Sequence, residues 1–299
     1  MVNGFVPEED EAALGESFIG RWIEGGNSFL FFAEPCYEKM DPLVRGRPDL
    51  SLLEKRRFSY EEWQGTALDL VRVEDFLIVP PWSNAQARNR EIRIVVDPGV
   101  VFGTGTHPTT RDCLRALLQL RKQMRFRSVL DLGTGTGILS LAAALPGAEQ
   151  VLAVDMNPLY VKTALRNVSL NGVDGAIKVI QGDATAFLSG DADLILANVH
   201  SDLLIRLLEL DDFSQKERLI LSGLLRGQAR NIEARLSRFH LELVRLWEYE
   251  ETWCTMLVKG NTQGHKFNHE NTKRGKHESR DWSDFLSLFL DFVVSRLMN

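Results

Sequence analysis

A chain of 299 residues, 44% hydrophobic and 25% charged, has the make-up of a soluble globular protein with one large domain or a domain and a small companion. Its net charge of -6 argues against a general nucleic-acid binder, which carries a basic excess, although a local basic patch is still possible. Three widely spaced cysteines, Cys36, Cys113 and Cys254, form no CxxC pair, so neither a disulfide framework nor a zinc site is expected and a reducing compartment fits. The acidic start MVNGFVPEEDE lacks the apolar segment of a signal peptide, and no stretch reaches the roughly 18 uninterrupted apolar residues of a membrane span. A cytoplasmic protein is expected.

In chain order, residues 1–57 read as a small α+β region with one clear strand, Ser28 to Ala33, and no clean period over 41–57. Residues 58–91 read as a linker and the start of a second domain. They hold a short helical stretch, Phe58 to Trp63, and a strand, Phe76 to Val79, halted by Pro80 and Pro81. From 92 to 260 the pattern becomes regular. Strands are expected at 92–96, 128–131, 151–154, 177–180, 193–197 and 219–221, and two more near 241–247 and 253–258. Helices are expected after Thr109 and Thr110, which are good N-cap residues, and over 138–145, 158–171, 203–208 and 228–239. The helix over 158–171 has Pro158 at its start and Gly172 just past its end, the usual asymmetry. Short apolar strands alternating with helices predict a doubly wound α/β sheet.

Residues 261–283 are nearly free of apolar side chains and read as a flexible linker. Its His265, His269 and His277 have no packed frame to make them metal ligands, and no metal site is expected. Residues 284–299 read as an amphipathic helix with a narrow polar stripe of Asp284, Ser287, Asp291 and Ser295. Such a helix is expected to dock on its own domain or on a second copy. With Arg296 as its one cation, membrane binding is the lesser reading.

The strongest local signal is Val129-Leu-Asp-Leu-Gly-Thr-Gly-Thr-Gly137, an apolar strand running into a glycine turn and then a helix. Glycines at 133, 135 and 137 permit a tight turn and a close ligand approach. The spacing is GxGxG rather than the GxGxxG of dinucleotide folds. Asp131, two residues before the first glycine, would repel a pyrophosphate but could hold an ammonium. S-adenosylmethionine (SAM), with an ammonium and no phosphate, is therefore favoured over a dinucleotide or a turn without ligand. Asp155, ending the next strand, can accept both ribose hydroxyls of an adenosine, or else cap the helix that follows. Asp183, after the third strand, could reach the adenine amino group or cap its own loop. Asn198 ends the fourth strand and could hold a substrate amine with its side-chain and backbone carbonyls. His200 could accept a proton or simply begin a helix.

The segment Asp97-Pro-Gly-Val-Val-Phe-Gly-Thr-Gly-Thr-His-Pro-Thr-Thr110 closely resembles the signature before the SAM loop in the ribosomal protein L eleven methyltransferase (PrmA) family. DLGTGTGIL at 131–139, VDMNP at 154–158, ANVHSDLL at 197–204, LSGLLRGQ at 221–228 and TWCTMLVKG at 252–260 follow in the family's order. The resemblance implies a Rossmann-like class I SAM methyltransferase, whose seven-stranded, mostly parallel sheet has helices on both faces and an antiparallel last strand. It implies cofactor contacts at Thr110, Gly133, Asp155 and Asn198, to which Asp131, Gly135, Thr106 and Asp183 are added from the loop chemistry. Asn198 is expected to orient the acceptor amine, and His107 either to touch the methionine end or to hold its loop. The expected substrate is a lysine side chain or N-terminal amine of a protein, foremost a ribosomal one. Residues 1–57 would recognise it. Another protein such as an electron-transfer flavoprotein subunit, a small molecule, or a non-catalytic SAM-binding scaffold are the alternatives.

Overall fold

The computed structural model describes residues 1–35, 37–59, 62, 70–188, 192–214 and 216–260. The expected linker over 261–283, the expected helix over 284–299, Cys36 and part of the helical stretch over 58–63 lie outside the described residues. Of that stretch, Ser59 and Glu62 are described. Each accepts the other's backbone N–H, at 3.1 and 2.7 Å, the reciprocal pairing of a capping box.

The first sheet contains β1 (Val2–Asn3), β2 (Phe18–Glu24), β3 (Asn27–Phe32) and β4 (Ser51–Leu52) in the order β2-β3-β1-β4. A 3-10 segment, Glu8–Leu14, follows β1, and α1 (Tyr37–Arg45) follows β3. With β1 antiparallel to both β3 and β4, this is the split βαβ arrangement. The expected strand at 28–33 is β3, one residue earlier. β2 was not anticipated, because Gly20, Arg21 and Glu24 interrupt its apolar alternation. Arg21 nevertheless lies buried, paired with Glu11 and donating to the Val6 carbonyl. Val2, Val6, Leu14, Met40 and Leu50 form the core beneath.

A three-stranded sheet comes next: β5 (Val71–Val73), β6 (Phe76–Val79) and β7 (Ile92–Val95), with β5 antiparallel and β7 parallel to β6. The regular pattern that starts at residue 92 thus begins inside this sheet.

The large sheet follows: β8 (Ser128–Leu132), β9 (Gln150–Asp155), β10 (Ile177–Gln181), β11 (Leu194–Asn198), β12 (Arg218–Leu225), β13 (Leu241–Tyr249) and β14 (Trp253–Gly260). Its order is β10-β9-β8-β11-β12-β14-β13. The five strands β8 to β12 run parallel, and β14 is antiparallel to both neighbours. This is the expected Rossmann-like, mostly parallel α/β sheet. Buried strands such as Leu194-Ile-Leu-Ala197 read as continuous apolar runs because both faces are covered. The chain winds outward from β8 to β10 and then returns to β11 beside β8. That creates a switch point, where ligands of open α/β sheets bind.

The helices of this domain are α2 (Pro108–Arg121), α3 (Ile138–Ala144), α4 (Pro158–Leu170), α5 (Ser201–Leu208), the single turn α6 (Asp211–Ser214) and α7 (Arg226–Leu236). One expectation is corrected here. The N-cap of α2 is His107, not Thr109 or Thr110, since Pro108 takes the first helical position and His107 Nδ1 accepts the Thr109 N–H at 3.3 Å. Both threonines then lie buried in the first turn. β2 rests on α4: a Cβ on Gly20 would stand 2.4 Å from Leu159 Cδ1, so a larger residue there would push the Leu159 side chain aside. No helix among the described residues is long and apolar enough to cross a membrane. Among the described residues no cluster of His, Cys, Asp or Glu could hold a metal ion.

Candidate active site

A cavity of about 430 Å³ opens at the carboxyl ends of β8, β9 and β11. Its lining brings together Thr110, Gly133, Gly135, Asp155 and Asn198, five of the eight expected site residues. Thr134, Met156, Tyr160, Val199, His200 and Leu203 complete much of the wall. Asp131, Thr106 and Asp183 do not line it.

The glycine turn is sewn to β9. The N–H groups of Gly133 and Thr134 both donate to Val154 O, at 2.8 and 3.0 Å. Gly135 N–H donates to Asp155 Oδ2 at 3.0 Å, and Asp155 Oδ1 accepts the Asn157 N–H at the same distance. Asp155 therefore braces the turn and does not cap α4; Asn157 does that, accepting the Leu159 N–H at 3.0 Å. Burial raises the Asp155 pKa against the pull of these N–H donors. Glycine is required at 133 and 135, where φ is +72° and +58°. A Cβ on Gly133 would stand 2.3 Å from Val199 Cγ1, and one on Gly135 2.8 Å from the Phe102 carbonyl oxygen.

Asp131 lies fully buried behind this turn. Its Oδ2 accepts the hydroxyls of Ser140 at 2.6 Å and Thr134 at 2.7 Å, while Oδ1 has no partner. Desolvation pushes the carboxyl up to about 6, the two hydroxyls opposing it and the Asp155 charge adding to it. A buried acceptor left unpaired is costly, so this oxygen suits a donor brought by a ligand.

The FGTGTH loop closes over the turn. Thr136 donates its N–H to Phe102 O at 3.3 Å and its hydroxyl to Gly103 O at 2.7 Å. The buried Asn167 ties the loop's root to both: Oδ1 accepts the Asp97 N–H at 2.8 Å, and Nδ2 donates to the carbonyls of Asp97 and Thr136. This buried amide was not singled out from the sequence, where an Asn in the middle of an amphipathic helix is the only signal. His107 holds the loop, with Phe102 and Trp253 packed against its ring at centroid distances of 5.2 and 4.8 Å. Burial lowers its pKa and so favours the neutral ring that the cap needs. Thr106 is exposed and bonded to Thr104 at 2.6 Å. Asp183 caps its own loop, accepting the Thr185 N–H at 2.9 Å and facing Arg206 at 3.5 Å. That N–H, with the Thr185 hydroxyl and Arg206, lowers its pKa against a smaller desolvation cost.

The facing wall is the end of β11. Asn198 Nδ2 lies 3.4 Å from Thr110 Oγ1, so the amide nitrogen is turned to Thr110. Val199 is held from both sides: by Gly133, and by Gly223 at a bulge in β12, where φ is +81° and a Cβ would stand 2.5 Å from Val199 O. Gly223 was also missed in the sequence, although a glycine inside an apolar strand marks a bulge or a close backbone approach.

The profile of the family described as "Ribosomal protein L11 methyltransferase (PrmA)" matches residues 56–261. The chain belongs to this family. A "Ribosomal protein L11 methyltransferase" of Bacillus pumilus is 34% identical over 222 residues, 72% of this chain and 69% of that protein. One of Desulfitobacterium hafniense is 40% identical over 187 residues, 62% of this chain and 58% of its own length. The chain thus spans 58–69% of these curated PrmA relatives. A crystal structure of a ribosomal protein L11 methylase from Lactobacillus delbrueckii subsp. bulgaricus is similar to 64% of this chain and 99% of its own, with a TM-score of 0.58 and 27% identity. The PrmA match begins after the split βαβ unit and covers every residue of the cavity.

Proposed function

We propose that this protein is a cytoplasmic SAM-dependent methyltransferase acting on lysine side-chain or N-terminal amines of a ribosomal protein, the one its PrmA relatives are named for. The observation that carries this reading is the meeting of Asp155, the glycine turn and Asn198 around one cavity, with the unpaired Asp131 oxygen behind it. Bound SAM would supply an electrophilic methyl group on a sulfonium.

The chain's own residues divide the remaining work. The Asp155 carboxylate suits the ribose hydroxyls, and Met156 and Tyr160 beside it offer apolar surface to a flat base. Asp131 and Thr134 suit the ammonium end. Asn198, its amide nitrogen turned to Thr110, presents its oxygen to an acceptor N–H. An ordinary lysine must give up a proton first, which costs about 4.6 kcal/mol at pH 7. A half-buried site lowers that cost by disfavouring the ammonium. Positioning then supplies most of the rate.

Substrate recognition is assigned to residues 1–57. A larger cavity of about 830 Å³ runs along their sheet, past Trp22, Phe29 and Phe31 and the basic run Lys55-Arg56-Arg57, to Gly99 and Val100. It holds none of the groups suited to methyl transfer, so the chemistry is placed in the smaller cavity and docking in the larger.

The test is to incubate the full chain with labelled SAM and the purified ribosomal protein, alongside calorimetric titration of SAM. Label in a lysine or N-terminal amine supports the reading. SAM binding with no label in that protein overturns the substrate, and absence of SAM binding overturns the whole.

A further inference from the structure

Two helices at the cavity, α2 through Thr110 and α5 through Leu203, begin with a histidine at the N-cap. His107 uses its ring: Nδ1 takes the Thr109 N–H, Thr109 Oγ1 lies 2.8 Å away, and two aromatic rings pack against the imidazole. His200 holds the same position before α5 but makes no cap hydrogen bond. Its exposed ring sits on the cavity lining two residues beyond Asn198, with Nδ1 3.5 Å from Asp202 Oδ2. His200 therefore begins α5 through its backbone, its carbonyl accepting the Leu203 N–H at 3.1 Å, while its ring takes no part in the cap.

We infer that His200 is the proton acceptor for the substrate amine, an assignment that rests on the amine-methylation reading above. Among the described residues of the lining, the other titratable side chains are Asp155 and Tyr160. Asp155 is committed to the N–H groups of Gly135 and Asn157, and a phenol keeps its own proton at neutral pH. An Nδ1–H facing Asp202 leaves Nε2 as the open acceptor. The arriving ammonium gives one proton to Nε2. The N–H bond breaks, its electron pair stays on nitrogen as the lone pair that methyl transfer consumes, and the imidazolium faces Asp202. At the exposed rim the proton passes to water.

Charged groups surround this ring. They are Asp202 on its own helix, Asp155 in the cavity, and the Arg206–Asp183 pair farther along α5. The Ser222–Leu225 stretch packed on Val199 has no charged side chain, and the next residue, Arg226, is paired with Glu248 and Glu251.

The experiment compares the wild-type chain with His200→Ala and His200→Asn, using the purified ribosomal protein as acceptor. It reads kcat from pH 6 to 10, rescue by added imidazole, and SAM affinity by calorimetry. We expect kcat at pH 7 to fall roughly 100-fold in both variants, the low end of what a positioned proton acceptor contributes. The gap should close toward pH 10, where lysine itself supplies neutral amine. Imidazole should restore His200→Ala at pH 7, and SAM affinity should not move. An undiminished kcat at pH 7, an even loss across the pH range without rescue, or a loss confined to SAM affinity overturns the assignment alone. A wild-type chain that binds SAM yet labels no protein amine overturns the amine-methylation reading, and this assignment with it.

Discussion

The β8–β9 wall of the cavity presents one buried carboxylate, Asp155, with a second, Asp131, behind it, whereas the β11–α5 wall holds an amide and an exposed imidazole. The first wall is braced by backbone: Asp155 accepts two N–H groups, and the glycine turn hangs from Val154. The second is held by shape, with Val199 pressed between two glycines. A small cofactor of fixed shape and charge suits the braced, charged wall. A large partner that must enter and leave suits the open one. Substitutions on the two walls should therefore separate cofactor affinity from turnover.

The largest expected effect is on the first wall. Asp155→Ala removes the acceptor of two backbone N–H groups and of the proposed ribose contact. SAM affinity should weaken about 100-fold, the scale of hydrogen bonds to a charged group, as measured by calorimetry. Next is Gly223→Ala on the second wall. Its Cβ would meet Val199 O in a left-handed backbone, so the β11 end must shift. We expect kcat to fall roughly 10- to 100-fold, the cost of a misplaced acceptor, with SAM affinity nearly unchanged. Equal losses in both readouts would erase the distinction between the walls.

A third prediction concerns pH. The Asp131 carboxyl titrates at about 6 in the folded protein, above its ordinary 3.8, because burial disfavours its charge. Folded protein therefore binds this proton more tightly than unfolded chain does. The stabilisation is complete below about pH 4 and is lost as pH rises through about 6. Melting of the cofactor-free protein should show this decline, and Asp131→Asn should flatten it. SAM affinity should rise over the same window as the carboxylate forms, and should be lower and flat in Asp131→Asn. The smallest effect is expected of Asn157→Ala, which removes the cap of α4 on the cofactor side. It should cost about 1 kcal/mol of stability in denaturant melts, with turnover unaffected.

The alternation of strands and helices from 128 to 260 was readable because each strand is a short apolar run bounded by glycine, proline or a capping residue. That Asp155 and Asn198 meet on one cavity was readable because carboxyl ends of parallel strands face one side of the sheet. β2 was hidden, since its buried Arg21 looks polar in sequence and is neutralised only by Glu11, ten residues away. Asn167 was hidden for a related reason: its partners at Asp97 and Thr136 come from loops distant in the chain.

By itself the sequence determined the sheet, its glycine turn and the family, because periodicity and contiguous motifs are local properties of the chain. Only the tertiary structure decided which residue each side chain answers to. It gave His107 to the cap of α2 and left His200 uncapped, bound Asp183 to its own loop, and sank Asp131 behind the turn with one oxygen unpaired. Those outcomes depend on hydrogen bonds and close approaches between segments that only the folded chain brings together.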